Sequence, residues 1–362
     1  PFWLKSMYPS GPTTSHGAMA LPALLASARP QPRLCRNFRH GWGRTPGARL
    51  HTATIAAGLW AGTVTGFLRS RFPAHLQRRR GTAQRAVASD AAVAAASPRL
   101  AALAALAREV RTQQRPGEPR SLDLGFDQLR DHRNYEFTSS YLREDGSCRG
   151  FCNWLLRDAV MIGRYPYCDP TPNGPTEAEG RAHLRRVLEA GITAFACLQD
   201  ELPPPGGPDW PAAGVWHDVG DFAGVFLPYA EVVREEAAAL GLPRPALLHF
   251  PIVDMDVPTW PQLFGILETL LKELQQGGRL YVHCWGGLGR AGTIGACLLA
   301  ALQPRFGPEE VLICTQAAYD SREGGRNFQS PQTWQQRALV RNFTVMLQRA
   351  AGAERSDGVP GS

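Results

Sequence analysis

One stretch, Leu280-Tyr281-Val282-His283-Cys284-Trp285-Gly286-Gly287-Leu288-Gly289-Arg290-Ala291-Gly292-Thr293, decides most of what this chain can become. Its first three residues are aromatic or branched and read as a buried strand, and the uncharged residues 291–302 read as a buried helix. Between them a tight loop opens on Cys284 and closes on Arg290. Gly286, Gly287 and Gly289 lack the Cβ atoms that would stop the backbone curling around an anion, so successive N–H groups can converge on one centre. The helix adds its positive N-terminal end, and Arg290 offers a planar fork to two phosphate oxygens.

The same field acts on the sulfur. A thiol at a helix N-terminus beside a guanidinium ionises far more readily than a free one, which makes Cys284 a candidate nucleophile; a small buried hydrophobe is the other role open to it. The Cys-x5-Arg spacing after a strand, with His283 just before it, resembles the signature of the cysteine-dependent protein tyrosine phosphatase superfamily. That resemblance implies a loop, Trp285 to Arg290, that binds phosphate, supported by His283.

Cleaving a phosphate ester with a thiolate takes a second group. The leaving oxygen must be protonated as it departs, and a water must then be deprotonated to hydrolyse the thiophosphate; one carboxyl can do both in turn. His249-Phe250-Pro251-Ile252-Val253-Asp254-Met255-Asp256-Val257-Pro258 offers two carboxylates, either of which could instead simply favour a helix N-terminus. From His249 to Leu302 the chain resembles the kinase-associated and lipid-acting dual-specificity phosphatases, whose general acid is a loop aspartate upstream of the cysteine. The resemblance implies Asp254, 30 residues ahead of Cys284, in preference to Asp256.

The loop itself is most similar to the kinase-associated type, with an aromatic residue followed by Gly-Gly-Leu-Gly-Arg. Thr193-Ala194-Phe195-Ala196-Cys197-Leu198-Gln199-Asp200 and the Arg290-Ala291 pair also resemble plant phosphoglucan phosphatases. Most of the superfamily carries Ser or Thr directly after the arginine, where its hydroxyl helps the cysteine leave. Ala291 stands there, and Thr293 lies elsewhere on the helix turn, so slow hydrolysis of the phosphoenzyme is expected. By the same resemblance Gln332 is a candidate water-positioning residue, with an ordinary polar side chain as its alternative, and Cys197 a candidate redox partner for Cys284. A Cys197–Cys284 disulfide would need Cα atoms within about 7 Å.

Charge divides the chain. Thirteen of its 39 basic residues and none of its 32 acidic ones precede Asp90, leaving the remainder at 26 basic against 32 acidic, a net of −6. The overall charge of +7 is therefore no nucleic-acid footprint, which would need its charge on the folded part. Residues 1–89, rich in Arg, Ala, Ser and Gly, have the composition of an organellar transit peptide, chloroplast or mitochondrial, with Met19 as an expected start. Ordinary basic disorder, and a cytoplasmic protein, is the alternative. Residues 50–68 carry no charge, with Gly58, Gly62 and Gly66 at helix-packing spacing, but their threonines and glycines weigh against a membrane span.

Leu100, Leu103, Leu106 and Val110 predict one amphipathic helix in a connecting region, 90–133. A catalytic domain is expected over 134–352, and a disordered tail over 353–362. Strands are predicted at 159–163, 192–198 and 246–253, and helices after the Thr176-x-x-Glu179 capping box and at 227–240, 260–275, 308–319 and 331–347. Helices alternating with strands predict an α/β fold with a central, largely parallel sheet, helices on both faces, and the phosphate loop after a central strand. Together these features predict a phosphomonoester hydrolase working through a cysteinyl-phosphate, with no cofactor or metal. A phosphoprotein bearing phosphotyrosine, with or without phosphoserine or phosphothreonine, is the expected substrate. A phosphoglucan, or phosphate binding without turnover, are the rivals; a lipid phosphate is disfavoured by a loop without lysine.

Overall fold

The computed structural model describes residues 90–113, 124–137, 151–171, 174–218, 223–322 and 328–356, without the side chains of 90–97 and 351–356. The expected targeting segment, its uncharged run at 50–68 and the last residues of the tail lie outside the described residues. In chain order the strands are β1 (Cys152–Leu156), β2 (Val160–Gly163), β3 (Ala194–Gln199), β4 (Val215–His217), β5 (Gly224–Phe226), β6 (Ala246–Ile252) and β7 (Leu280–His283). The helices are α1 (Asp90–Thr112), α2 (Phe126–Leu129), α3 (Glu177–Glu189), α4 (Ala230–Ala239), α5 (Trp260–Gln275), α6 (Arg290–Leu302), α7 (Pro308–Asp320) and α8 (Trp334–Ser356).

Five strands form one sheet in the order β1-β2-β7-β3-β6, parallel at every pairing except the antiparallel β1 edge, while β4 and β5 form a separate hairpin. This is the helix-flanked, mostly parallel sheet expected, with the loop-bearing strand at its centre. β2 and β3 run parallel as a strand–helix–strand unit requires, yet they are not neighbours, because β7 lies between them.

The pleat sorts side chains by alternation. Val160 and Ile162, Ala194, Ala196 and Leu198, Leu280 and Val282 join the larger apolar cluster, which includes α5, α6, α7 and α8. Met161, Phe195, Cys197 and Tyr281 join the other, against α3 and α4. The Thr259/Gln262 capping box starts α5, whose Leu263, Phe264, Ile266, Leu267, Leu270, Leu271 and Leu274 recur every three or four residues and are all buried. Every residue of α6 is buried, which is why it carries no charge beyond Arg290. Helix α1 contributes Leu100, Leu103, Ala107 and Val110 to the larger cluster, so it is built into the core rather than bridging to it.

Candidate active site

β7 delivers the chain to Cys284, which is buried, and the loop 284–289 leads into α6. The carbonyl oxygens of this loop are held outward by four separate donors. Trp285 O accepts from the Tyr165 amide at 3.0 Å, Gly286 O and Gly287 O accept from the Arg322 guanidinium at 3.5 and 3.0 Å, and Leu288 O accepts from the Ser330 hydroxyl at 2.9 Å. In a planar trans peptide the N–H of the next residue points the opposite way. The amides of Gly286, Gly287, Leu288 and Gly289 are thereby turned into the concave side of the loop. Gly289 O, taken by the Thr293 amide at 2.9 Å and its hydroxyl at 2.8 Å, orients the Arg290 amide in the same fashion. Gly287 has φ +69°, and a Cβ there would lie 2.3 Å from the Gly163 carbonyl carbon, so only glycine fits.

Arg290 closes the loop with its side chain almost fully buried. Its Nη1 and Nη2 make a two-pronged pair with Glu201 at 2.7 and 2.9 Å, Nη1 also donates to Ile252 O at 3.0 Å, and Nη2 lies 3.0 Å from Asp254 Oδ1. Burial opposes the charge on this guanidinium, but the bonds to Glu201, with Asp254 and Cys284 nearby, outweigh it and hold its pKa above the ordinary arginine value. Burial likewise works to raise the Glu201 pKa, and its bonds to Arg290 reverse the sign, leaving that carboxyl below its usual range. One donor remains: Arg290 Nε is buried with no partner among the described residues. An orphaned N–H of this kind costs on the order of 1–3 kcal/mol, and an anion in the loop would satisfy it.

Asp254 and Asp256 are separated by this geometry. Asp254 is about half exposed and faces Arg290, whereas Asp256 Oδ1 accepts from the Val257 amide at 2.8 Å. The carbonyl of Asp256 accepts from Gln336 Nε2 at 3.1 Å, and Gln336 Oε1 takes the amides of Gln332 and Thr333 at 3.1 and 3.0 Å, tying the aspartate loop to the start of α8. Gln332 is half-buried with Oε1 3.1 Å from where a Cβ on Gly289 would stand, which places it beside the loop. His283 Nε2 lies 3.0 Å from the Tyr229 hydroxyl, and burial pushes the imidazole down to about 3, so the ring is neutral behind the loop.

Trp285 sits in the loop, but its indole is buried against His217 and Phe226, with ring centroids 5.0 and 5.3 Å away, and Nε1 donates to Thr171 Oγ1 at 3.3 Å. Its side chain supports the loop from behind. Trp334 differs, standing 63% exposed at the start of α8. Ala291 is fully buried after Arg290. Cys197 pairs in register with His283 and falls in the cluster on the opposite face of the sheet from Cys284; burial pushes its thiol up to about 12.

Glu201, Arg322 and Gln336 were not singled out by sequence. For Glu201 a signal exists: β3 and β7 are in register at Cys197 and His283, so acidic residues just past β3 arrive at the edge where the loop begins. Arg322 and Gln336 reach the loop from 30 and more residues downstream of it and carry no local mark.

Residues 233–338 match the family model described as "PTP-SAK: Swiss Army Knife protein, DSP-PTPase phosphatase domain". Cyclin-dependent kinase inhibitor 3 of Homo sapiens is 36% identical over 64 residues, and that of Rattus norvegicus 34%, in each case 18% of this chain and 30% of the relative. The chain thus spans less than a third of the length of the curated relatives it matches. Among solved structures, kinase associated phosphatase with its catalytic cysteine replaced by serine aligns at a TM-score of 0.35 and 21% identity, covering 52% of this chain and 86% of that one. Tk-PTP in its active form aligns at 0.32 and 19%, covering 53% and 92%.

Proposed function

We propose that this chain, whose residues 233–338 match the dual-specificity phosphatase family model, hydrolyses phosphomonoesters on protein side chains through a cysteinyl-phosphate. The observation that carries the reading is the set of outward-held carbonyls at 285–288, which leaves a ring of inward amides beside Cys284. Non-bridging oxygens of the substrate would be received by those amides and by Arg290 Nε. Cys284 Sγ attacks phosphorus, the bond to the leaving oxygen breaks, and Asp254 supplies that oxygen's proton. In the second half the Asp254 carboxylate takes a proton from water, whose oxygen displaces the sulfur.

Glu201 gives Arg290 a fixed orientation before substrate arrives, so no reorganisation is needed as negative charge builds on the phosphoryl oxygens. Asp254 shares the Arg290 fork only through one oxygen and is half exposed, which leaves it able to turn toward a leaving group. A phosphoprotein substrate is supported by the family match alone. A phosphoglucan remains the second reading only through sequence resemblance, and no geometric observation favours it.

Turnover of p-nitrophenyl phosphate, a phosphotyrosyl and phosphoseryl peptide panel and solubilised phosphoglucan tests this. Cys284→Ser should abolish turnover, and Asp254→Asn should lower it roughly a hundred- to ten-thousand-fold on peptides. A wild-type chain inactive on all three, or a Cys284→Ser variant that keeps its rate, overturns the assignment. Turnover of phosphoglucan in preference to peptides would replace the substrate while keeping the chemistry.

A further inference from the structure

Arg322 follows α7 and is buried, yet among the described residues it meets no carboxylate. Its Nε donates to Asn153 Oδ1 at 2.6 Å, and its Nη groups donate to the carbonyl oxygens of Ile162, Gly287 and Gly286 at 2.9, 3.0 and 3.5 Å. The other two deeply buried guanidiniums have counter-ions: Arg290 has Glu201 and Asp254, and Arg164 has Asp169. A desolvated cation held by neutral acceptors and by the face of the Tyr319 ring, 4.8 Å from its central carbon, is costly to fold, and chemistry of an opposite sign nearby is what repays it.

We propose that Arg322 is a positioning residue of the phosphate loop, turning the Gly286 and Gly287 carbonyls outward while its charge, which no carboxylate pairs, faces the Cys284 sulfur and is balanced by the phosphate bound there. Two observations converge on this. The carbonyls it grips belong to the residues whose following amides, at 287 and 288, face into the hollow. The polar partner at Nε is an amide, Asn153, where an aspartate of the same shape would have paired the charge locally. The carboxylates Glu201 and Asp254 are paired with Arg290 and make no ion pair with Arg322 among the described residues. The proposal rests on the phosphatase reading only for the identity of the anion.

The full chain would be made as Asn153→Asp, Arg322→Lys and Arg322→Met. Each would be followed by thermal unfolding, by calorimetric titration with inorganic phosphate, and by the rate of Cys284 alkylation with iodoacetamide at neutral pH. Asn153→Asp keeps the guanidinium in place and adds a salt bridge, so a purely structural arginine would leave phosphate affinity and alkylation unchanged. The expected result is a folded protein with phosphate affinity lowered about tenfold, the scale of one charge-assisted interaction, and with slower alkylation. Arg322→Met should lose more of both, and Arg322→Lys should recover part of the alkylation rate. Folded Asn153→Asp with affinity and alkylation indistinguishable from wild type overturns the proposal, and it decides the matter even where Arg322→Met fails to fold. Phosphate binding without turnover in the wild type would sink the phosphatase reading and leave this assignment standing.

Discussion

Ala291 occupies the first position after Arg290 and is fully buried, while the hydroxyl two residues on, Thr293 Oγ1, is committed to Gly289 O at 2.8 Å. The sulfur therefore lacks help from Thr293 when it must leave phosphorus. Stopped-flow measurement with p-nitrophenyl phosphate should show a burst of product followed by slow steady turnover, and Ala291→Ser should shrink the burst and raise kcat several-fold. An unchanged burst in the variant would mean that residue 291 does not limit the second step. At this scale the sequence was legible where chemistry is written locally. Cys284, Arg290 and the loop glycines lie within seven residues, and Asp254 sits in a short loop between a strand and a helix. Glu201, Arg322 and Gln336 acquire their meaning only from strand register and from how the segments after α7 return to the loop, so nothing in their own neighbourhoods marks them.

Helices and long strands were legible because their patterns repeat. The capping box at Thr176/Glu179 begins a helix where expected, and α5 spans the predicted residues behind a box of its own at Thr259/Gln262. β1 escapes a sequence reading because Cys152–Leu156 is buried throughout and carries Asn153 at its second position, which erases the alternation by which a strand is recognised. β4 and β5 are three residues each, too short for any period to show. Helix α1 was read from its spacing as part of a connecting region, whereas Leu100, Leu103 and Val110 are at most 4% exposed in the main core. At about 1.5–3 kcal/mol per buried side chain of this size, those three alone are worth about as much as the net stability of a domain. A chain beginning at Asn134 is expected to lose cooperative unfolding by circular dichroism and to bind a hydrophobic dye, while one beginning at Asp90 keeps a sharp transition.

At the scale of the whole fold, two imidazoles buried among the described residues couple folding to pH. His183 and His283 are each pushed down to about 3 by burial, against an ordinary value of 6.5. Between those limits the unfolded chain binds more protons than the folded one, so stability rises with pH and is lost on acidification, by up to about 1.4 kcal/mol per pH unit for each ring. Glu201 adds loss at lower pH: its carboxyl, held below the usual 4.5, stabilises the fold above that range and ceases to do so as pH falls through its folded value. Urea unfolding at a series of pH values should show this decline, and His183→Gln should make it shallower; equal slopes would refute the assignment. The order of the sheet was less legible than its direction, since parallel strands could be inferred from alternation while the insertion of β7 between β2 and β3 could not.

That insertion sets a timetable for synthesis. Val160–Gly163 and Ala194–Gln199 emerge early, yet each has its partner edge vacant until Leu280–His283 is made. A ribosome-bound chain must hold two raw edges apart over more than eighty residues of further translation, the situation in which nascent proteins invite mispairing or a chaperone. The strand that finally zips the sheet shut is the one that carries the nucleophile, so a chain halted before it can be neither whole nor reactive.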